Sequence, residues 1–298
     1  MAQRIGFIGV GLMGHGMAKN LVEKGFDLTV LAHRNREPVE DLRRRGAKEA
    51  KSAAELAGLV DILFLCVTGT PQVEEVVFGP DGVRQGARKG LIVVDSSTSE
   101  PAGTLRFAAE LAKDGVIFVD APLTRTPVDA EAGRLNTMVG APDDVFATIR
   151  PALAAFSENI FHAGPVGAGH TVKLLNNFLG LSTAVLVAEA VRVCEAAGVD
   201  PRVMYDICSQ GGGDSRMLRM MLPKALDGDH SGLKFALANA RKDVSYFRNM
   251  AAASGIDSAI GKVVQAVYDQ AVADGFADRY VPALIDAVRA GRGRTGAG

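Results

Sequence analysis

The chain has 298 residues and a formal net charge of -1, with 33 Lys+Arg against 34 Asp+Glu. This length suggests about two domains, each able to bury a core, and the charge balance excludes a general attraction to nucleic acid or to an anionic membrane surface. The three cysteines lie far apart in the sequence, without CxxC spacing, so we expect no disulfide framework, no metal site and a cytoplasmic protein with reduced thiols.

No targeting or membrane segment is predicted. The N-terminus lacks the charged start and long apolar middle of a signal peptide. We expect no apolar stretch to approach the ~18 residues that cross a bilayer, and we expect residues 291–298 to fray because they are short and polar.

The first half of the chain alternates short apolar runs with amphipathic stretches. The predicted strands are Arg4–Ile8, Leu28–Ala32, Asp61–Cys66, Leu91–Asp95 and Ile117–Asp120. The predicted helices are Met13–Lys24, Glu37–Arg45, Ala53–Leu59, Pro71–Phe78 and Pro101–Asp114. Such alternation predicts βαβ units in an α/β fold, a Rossmann-type doubly wound parallel sheet with helices on both faces.

The pattern becomes helical in the second half. A long apolar helix is predicted over Val172–Ala197, stopped by Gly198, and only helical segments follow it. A helix that is apolar around most of its circumference is expected to be buried on several sides, between two domains or two subunits. The sequence therefore predicts a nucleotide-binding domain over residues 1–164, an all-helical domain over residues 165–298, and a homodimer or homotetramer.

A glycine-rich loop follows the first predicted strand and opens the first predicted helix. It reads Gly9-Val10-Gly11-Leu12-Met13-Gly14, the spacing that places a dinucleotide pyrophosphate on a helix N-terminus. Gly9 would allow the tight turn, Gly11 the approach of the pyrophosphate, and Gly14 the close packing of helix on strand. The strand and helix around the loop favour a cofactor site over a glycine turn that binds nothing.

The second predicted strand ends at His33-Arg34-Asn35, where NAD-dependent enzymes usually carry Asp or Glu for the ribose 2′-hydroxyl. No carboxylate appears before Glu37. Because a guanidinium suits a 2′-phosphate by charge and by fork geometry, Arg34 predicts NADP in preference to NAD. His33 and Asn35 would line the same site, and Arg36 is either a second contact or a solvated side chain.

Lys173 and Asn176 are polar residues near the start of the long apolar helix, and their spacing places them on one helix face. Burial would lower the pKa of the lysine toward neutrality, the range that suits an acid/base catalyst. From these residues alone, a lysine that reaches solvent and an asparagine that caps the helix explain the pattern equally well.

Five motifs occur in the order found in one known family. They are Phe7–Gly14 with Met17-Ala18 and Asn20-Leu21, then Asp95-Ser96-Ser97-Thr98, Asp120-Ala121-Pro122, the segment Gly169–Asn177, and Lys242-Asp243. In these motifs, and over essentially its whole length, the chain resembles the β-hydroxyacid dehydrogenase family, the group of 3-hydroxyisobutyrate dehydrogenase and tartronate semialdehyde reductase. The resemblance implies reversible hydride transfer between NADP(H) and a small anionic hydroxy acid or semialdehyde.

The resemblance also implies a role for individual residues. Lys173 would be the catalytic acid/base, Asn176 and Asn177 would bind the substrate oxygen, and Thr98 would lie beside the nicotinamide. Further cofactor contacts would be Leu12, Met13, Val67, Thr68 and Lys242.

The chain departs from the family pattern at three places. Met-Leu-Pro is frequent where this chain has Cys66-Val67-Thr68, and an acidic residue is frequent at the position of Ala238. Ser-Gly-Gly is usual where this chain has Thr124-Arg125-Thr126. The familiar substrates of the family are therefore in question.

The substrate loop instead resembles that of sulfolactaldehyde reductases, a subgroup expected to use NAD. This resemblance implies that Leu123, Thr124 and Arg125 bind the substrate, with the arginine on a carboxylate or sulfonate. Arg125 could instead point to solvent or pair with Asp129 or Glu131.

Two other functions fit this organisation, an imine reductase-like NADPH enzyme and a non-catalytic NADP-binding partner protein. Both typically lack the catalytic lysine, so Lys173 favours the dehydrogenase. The expected partners are a small anionic substrate and a further copy of the chain. Binding to nucleic acid or to a membrane is not expected.

Overall fold

The computed structural model describes residues 3–290. The chain separates into two compact units, Met1–Lys173 and Leu174–Gly298. The domain boundary predicted after residue 164 coincides with the end of the last strand of the first unit, Ser157–Gly164. The predicted fraying of residues 291–298 lies outside the described residues.

The first unit contains all the strands of the described chain. Its strands are β1 (Arg4–Ile8), β2 (Asp27–Leu31), β3 (Lys48–Ala50), β4 (Ile62–Leu65), β5 (Ile92–Asp95), β6 (Ile117–Asp120), β7 (Leu123–Thr124), β8 (Leu135–Gly140) and β9 (Ser157–Gly164). Its helices are α1 (Gly14–Glu23), α2 (Glu37–Arg44), α3 (Ala53–Leu59), α4 (Thr70–Phe78), α5 (Val83–Gly86), α6 (Pro101–Ala112), α7 (Pro127–Glu131) and α8 (Asp143–Phe156). The ten predicted elements are all present, with ends that shift by a few residues.

The nine strands form one sheet in the order β3-β2-β1-β4-β5-β6-β8-β7, with β9 paired to β8. Strands β1 to β6 pair with one another in parallel, as predicted. The sheet is thus predominantly parallel, and at one edge β8 runs antiparallel to β6 and β7. The sheet is therefore mixed.

Strand residues alternate between two apolar cores. In β4, Ile62 and Phe64 belong to one buried cluster and Leu63 and Leu65 to another. Because successive side chains of a strand point to opposite faces, the central strands are apolar on both sides and helices cover both. The predicted doubly wound α/β arrangement is confirmed.

The described part of the second unit is helical, apart from one isolated bridge between Ala236 and Tyr280. The long helix α9 (Ala168–Ala196) leads into it. It continues with α10 (Pro201–Cys208), α11 (Arg216–Leu226), α12 (Leu237–Ala253), α13 (Ala259–Ala271) and α14 (Leu284–Ala290), with short non-α turns at His230–Gly232, Val272–Phe276 and Val281–Ala283. Helices α9, α11, α12 and α13 contribute to one core, in which Tyr268 is fully buried.

The long helix is less enclosed than its composition predicts. Leu179, Leu186 and Val193 recur at intervals of seven residues and are 69%, 64% and 62% exposed. The same helix face continues into an apolar groove of about 430 Å³, lined also by Val203 and Ile207 of α10. This face of the helix is therefore uncovered in the single chain, and burial of the helix between two subunits stays a prediction.

The expectation that no stretch could reach across a bilayer is also corrected. Helix α9 is sufficiently long and apolar to do so when judged by length and composition alone. Central helices of soluble proteins meet the same criterion, so the observation is weak evidence for a membrane.

Candidate active site

Four parallel strands of the first unit end side by side. Leu65 at the end of β4 is in register with Ile8 of β1 and with Asp95 of β5, and Asp95 is in register with Asp120 of β6. The strand order reverses between β1 and β4, and in open α/β sheets ligands bind outside the carboxyl ends of strands at such a reversal. The loops that carry most of the predicted cofactor residues therefore leave one edge of the sheet together.

The glycine-rich loop has the backbone that a dinucleotide requires. Gly9 has φ +97°, and a Cβ there would lie 2.2 Å from the carbonyl oxygen of Cys66. A Cβ on Gly14 would lie 2.0 Å from the carbonyl oxygen of Gly9, whereas a Cβ on Gly11 would meet no atom within 4 Å. The first two positions exclude side chains through local packing, and open space at Gly11 fits an approaching pyrophosphate.

The other predicted cofactor residues near this loop differ in exposure. Leu12 is 70% exposed, whereas Met13 packs against the core. The backbone N–H of Val67 donates to the Ser97 hydroxyl at 3.0 Å, which joins the loops after β4 and β5. Thr68, the next residue, is exposed.

The predicted 2′-phosphate site lies just beyond β2. Arg34 and its neighbours His33 and Asn35 are all exposed. Within residues 3–290, Arg34 takes part in no ion pair or side-chain hydrogen bond. Its guanidinium is thus available for an anion.

Arg36 is engaged elsewhere. It forms ion pairs of 2.9 Å with Glu40 and 3.0 Å with Glu49. The hydrogen bond with Glu40 is the main cause that raises the pKa of Arg36. Arg36 is therefore a paired surface side chain, and a cofactor contact by it stays untested.

Lys173 lies near the ends of β4 and β5. Burial raises the pKa of the Cys66 thiol to about 12, the charge of Asp95 adds to this rise, and the Lys173 ammonium opposes it. Such an opposing effect requires the lysine charge to be close to the thiol. Lys173 therefore lies at the same sheet edge as the glycine-rich loop, in the second turn of α9.

Asp120 holds the start of that helix. Its carboxylate accepts hydrogen bonds from the backbone N–H groups of Gly167 at 2.6 Å and His170 at 2.7 Å. Burial raises the pKa of Asp120, while His170 and these two N–H groups oppose the rise. The helix that carries Lys173 is thus tied to the end of β6.

In the second unit, the predicted substrate and cofactor residues form a chain of contacts. Asn176 is exposed and donates to the Asn177 side chain at 3.2 Å, and Asn177 donates to Asp243 at 2.7 Å. Asp243 is buried and lies 3.1 Å from the ammonium of Lys242, which also lies 4.9 Å from the ring of Tyr246. Asn177 therefore links α9 to α12, whereas Asn176 shares a helix face with Lys173.

The predicted substrate loop forms β7 and the turn after it. Leu123 is buried, and the Thr124 hydroxyl accepts from Asn136 of β8 at 3.2 Å. Thr126 and Asp129 form a capping box at the start of α7. The loop is fixed at both ends, with Arg125 between them.

Arg125 has an unusual backbone and a defined partner. Its φ is +85°, a region that favours glycine. The guanidinium forms an ion pair with Glu158 of β9 and donates to the carbonyl oxygen of Arg134 at 2.5 Å. It pairs with neither Asp129 nor Glu131, the two partners considered as alternatives to a substrate contact.

Sequence reasoning did not assign a role to His170, although it lies within a quoted motif. His170 is fully buried and contacts Thr104 and Ser97. A histidine in the first turn of an otherwise apolar helix is the sequence signal that could have identified it.

Comparisons with known proteins agree along the whole chain. Residues 4–164 match the NAD-binding domain of 6-phosphogluconate dehydrogenase, and residues 167–288 match the NAD-binding domain of NADP-dependent 3-hydroxyisobutyrate dehydrogenase. A 2-(hydroxymethyl)glutarate dehydrogenase of Eubacterium barkeri is 36% identical over 243 residues, 81% of this chain and 80% of that protein. A 2-hydroxy-3-oxopropionate reductase of Escherichia coli is 32% identical over 287 residues, 96% of this chain and 97% of that protein.

Solved structures give the same picture. A 3-hydroxyisobutyrate dehydrogenase from Salmonella typhimurium has a TM-score of 0.84 at 28% identity, covering 95% of this chain and 99% of that one. An imine reductase from Pseudomonas sp. is more distant, with a TM-score of 0.59 at 17% identity over 97% of this chain and 100% of that one. The latter likeness concerns the fold alone.

Proposed function

Since this chain belongs to the β-hydroxyacid dehydrogenase family, and is thus an NAD(P)-dependent hydroxyacid dehydrogenase, we propose a finer function. It reversibly converts a small 3-hydroxy acid, with a carboxylate or sulfonate group, into the corresponding semialdehyde, with NADP(H) as cofactor. The observation that carries this proposal is that Asp120, at the end of β6, holds the start of α9, the helix of Lys173, at the sheet edge of the glycine-rich loop.

The bound cofactor supplies or accepts the hydride at the substrate carbon. Lys173 donates a proton to the oxygen of the carbonyl during reduction and removes the hydroxyl proton during oxidation. Asn176, on the same helix face, donates a hydrogen bond to that oxygen and orients it. Asn177 keeps α9 and α12 in place through Asp243, and Lys242 beside it contacts the cofactor.

NADP preference rests on the loop after β2. Arg34 is exposed and takes part in no ion pair within residues 3–290, so it is available to a dianionic 2′-phosphate. The next arginine, Arg36, is held by Glu40 and Glu49. We infer that Arg34, flanked by His33 and Asn35, selects the phosphorylated cofactor.

Anion recognition rests on Arg125. A non-glycine residue at φ +85° costs on the order of 1 kcal/mol or more. The cation therefore occupies a backbone position that glycine would fill without strain. We infer that the guanidinium binds the acid group of the substrate, with Thr124 and Leu123 shaping the space beside it.

Self-association is a further part of the proposal. The exposed face of Leu179, Leu186 and Val193 repeats every seven residues, the spacing at which apolar residues of paired helices meet. We infer that a second copy of the chain covers this face, giving a homodimer or homotetramer. Light scattering should then give a mass that is a multiple of the chain mass. Leu186→Glu should lower this mass, whereas the control Leu105→Glu, at an exposed leucine of α6, should leave it unchanged.

The imine reductase and non-catalytic readings gain no support from a specific observation. Lys173, at the position of the family's catalytic lysine, favours the dehydrogenase over both. A cytoplasmic location stays a prediction from the cysteine spacing, and partners other than substrate and a second copy are not proposed.

One experiment tests the central proposal. NADPH oxidation is followed with three-carbon semialdehydes that end in a carboxylate or a sulfonate, with a cyclic imine as the competing substrate class, and with NADH in place of NADPH. We expect turnover of a semialdehyde with NADPH preferred. Turnover of the imine alone, or cofactor binding without turnover of any compound, would contradict the proposal.

A further inference from the structure

His170 is a fully buried side chain that the proposed reaction does not use. Its Nε2 lies 3.2 Å from the carbonyl oxygen of Ser97, and its Nδ1 lies 2.7 Å from the hydroxyl of Thr104. A carbonyl oxygen only accepts, so Nε2 donates to Ser97. The Thr104 hydroxyl, which also donates to the carbonyl oxygen of Glu100 at 3.2 Å, is the partner of Nδ1. Both ring nitrogens therefore have a hydrogen-bond partner.

Two buried carboxylates face the ring, each 3.8 Å from one of its nitrogens. These are Asp95, opposite Nε2, and Asp120, opposite Nδ1. Each has other donors within hydrogen-bond distance. Asp95 accepts from the Ser97 backbone N–H at 2.8 Å and from the Ser99 hydroxyl at 2.8 Å, and Asp120 accepts from two N–H groups at the start of α9. The ring is thus not needed to satisfy either carboxylate.

The contacts of His170 join two segments that the proposed function uses. On one side is the loop after β5, in which Ser97 precedes Thr98, the predicted nicotinamide contact. On the other is the first turn of α9, one turn before Lys173. The imidazole bridges the two through its bond to the Ser97 carbonyl oxygen.

We propose that His170 is a positioning residue that fixes the loop of Ser97 and Thr98 against the start of α9. It thereby sets the distance between the nicotinamide contact and Lys173. This inference rests on the proposed roles of Thr98 and Lys173. It acts through the two hydrogen bonds of the ring and involves no transfer of a proton by His170.

A pair of substitutions separates positioning from proton transfer. In His170→Gln the amide nitrogen can donate to Ser97 and the amide oxygen can accept from the Thr104 hydroxyl, so both bonds of the ring have a replacement. In His170→Leu neither bond remains. We expect the leucine variant to lose about 10- to 100-fold in kcat with little change in KM, because a displacement of about 1 Å in an active site has effects of this size. The glutamine variant should recover most of this loss.

The pH dependence of kcat gives the decisive control. We expect the glutamine variant to keep the limbs of the wild-type profile. Loss of a limb, together with a kcat as low as that of the leucine variant, would assign proton transfer to His170 and overturn the proposal. Unchanged kcat in the leucine variant would overturn it as well.

A third variant covers the case in which the leucine variant does not fold. Thr104→Val removes the hydroxyl that bonds to Nδ1 and keeps the shape of the side chain, so we expect a several-fold loss of kcat. Unchanged kcat in this variant, with the leucine variant unfolded, would overturn the proposal.

Amide hydrogen exchange distinguishes this inference from the proposed function. If the wild type reduces none of the tested substrates, the proposed function fails, but exchange in residues 95–99 and 168–173 still reports on the bridge. We expect faster exchange in both segments for the leucine or valine variant and wild-type exchange for glutamine. Equal exchange in all variants would overturn the proposed bridge, whatever the substrate.

Discussion

The guanidinium of Arg125 forms an ion pair with Glu158, a residue of β9 that is 33 positions later in the chain. The side chain of Arg125 is 20% exposed and that of Glu158 is 51% exposed. An anionic substrate that binds Arg125 must therefore compete with, or displace, a partly solvated carboxylate. If Arg125 has its proposed role, the two residues together determine how strongly the loop attracts an acid group.

This pair leads to opposite predictions for its two members. Glu158→Gln removes the competing charge, and because pairs with an exposed member contribute about 0.2–1 kcal/mol, we expect KM for the semialdehyde to fall by up to about fivefold. Arg125→Gly removes the guanidinium at a backbone position that suits glycine, and we expect KM to rise about ten- to a hundredfold. Arg125→Lys should lie between wild type and the glycine variant because it keeps the charge without the fork.

The control is Glu74→Gln, which breaks an ion pair of the same kind with Arg106 on the surface of the first unit. It should leave KM unchanged. If Arg125→Gly also leaves KM unchanged for both carboxylate and sulfonate substrates, the arginine serves only the structure of the loop, and the sulfonate hypothesis is lost with it.

The parallel strands of the first unit could be predicted well from the sequence because they are strongly apolar. Strands Ile62–Leu65 and Ile92–Asp95 are buried on both faces, and such strands are recognisable as continuous apolar runs in the sequence. Strand β9 contains the exposed residues Glu158 and Asn159 and has no clear alternation. Its pairing with β8 depends on tertiary contacts, and for this reason Glu158 could not be predicted as the partner of Arg125.

In the candidate site, too, some residues could be predicted from the sequence and others could not. The glycine-rich loop and Lys173 are recognisable because local spacing constrains them. The roles of Asn177 and His170 depend on partners far along the chain, Asp243 and Thr104. Local sequence patterns do not report which distant residue accepts a hydrogen bond, so these contacts required the structure.

Lys173 is expected to act in chemistry and not in cofactor binding. Lys173→Met should lower kcat by about 10²–10⁴-fold, the usual contribution of general acid/base catalysis. NADPH affinity, measured by cofactor fluorescence, should stay within a few-fold of wild type. Lys113→Met, at an exposed lysine of the first unit that pairs with Glu110, is the control and should change neither quantity. Near-normal turnover of Lys173→Met would contradict the role of Lys173 as the acid/base catalyst.

Arg34 is expected to control cofactor choice. Arg34→Asp should weaken NADPH binding about ten- to a hundredfold, because a charge-assisted contact contributes roughly 1.5–3 kcal/mol, and it should change NADH binding much less. Arg36→Gln is the matched control, since its partners are Glu40 and Glu49, and it should keep the cofactor preference. Equal affinity of the wild-type protein for NADH and NADPH would contradict the assignment.

Asp41 is expected to make stability depend on pH. The hydrogen bond from Arg45 is the main cause that lowers the pKa of Asp41 from 3.8 to about 2, with further hydrogen bonds from His15 and Arg44. Because the folded-state value lies below the unfolded one, the ionised carboxylate stabilises the fold above pH 4. This contribution, about 2 kcal/mol at most, is lost as the pH falls through 2.

Urea unfolding of wild type and Asp41→Asn at pH 6 and pH 3 measures this effect. The difference in unfolding free energy between the two proteins should shrink by about half at pH 3. Asp278→Asn, at an exposed aspartate without an ion pair in the described part of the chain, should give a difference that does not change with pH. A constant difference for Asp41→Asn would mean that its ion pairs add nothing to stability.

Gly16 is expected to be intolerant of even the smallest side chain. It lies in α1, where a Cβ would approach the backbone of Ala130 and Glu131 in α7 to 2.5 Å. Because backbone cannot move aside like a flexible side chain, Gly16→Ala should destabilise the protein by about 1–3 kcal/mol. Gly58→Ala in α3, where the nearest atom would be 3.4 Å away, should instead stabilise by about 0.5–1 kcal/mol through helix propensity. Thermal unfolding of both variants tests this prediction. If Gly16→Ala is as stable as Gly58→Ala, then α1 and α7 do not pack backbone to backbone. In that case α7 would not anchor the predicted substrate loop against α1.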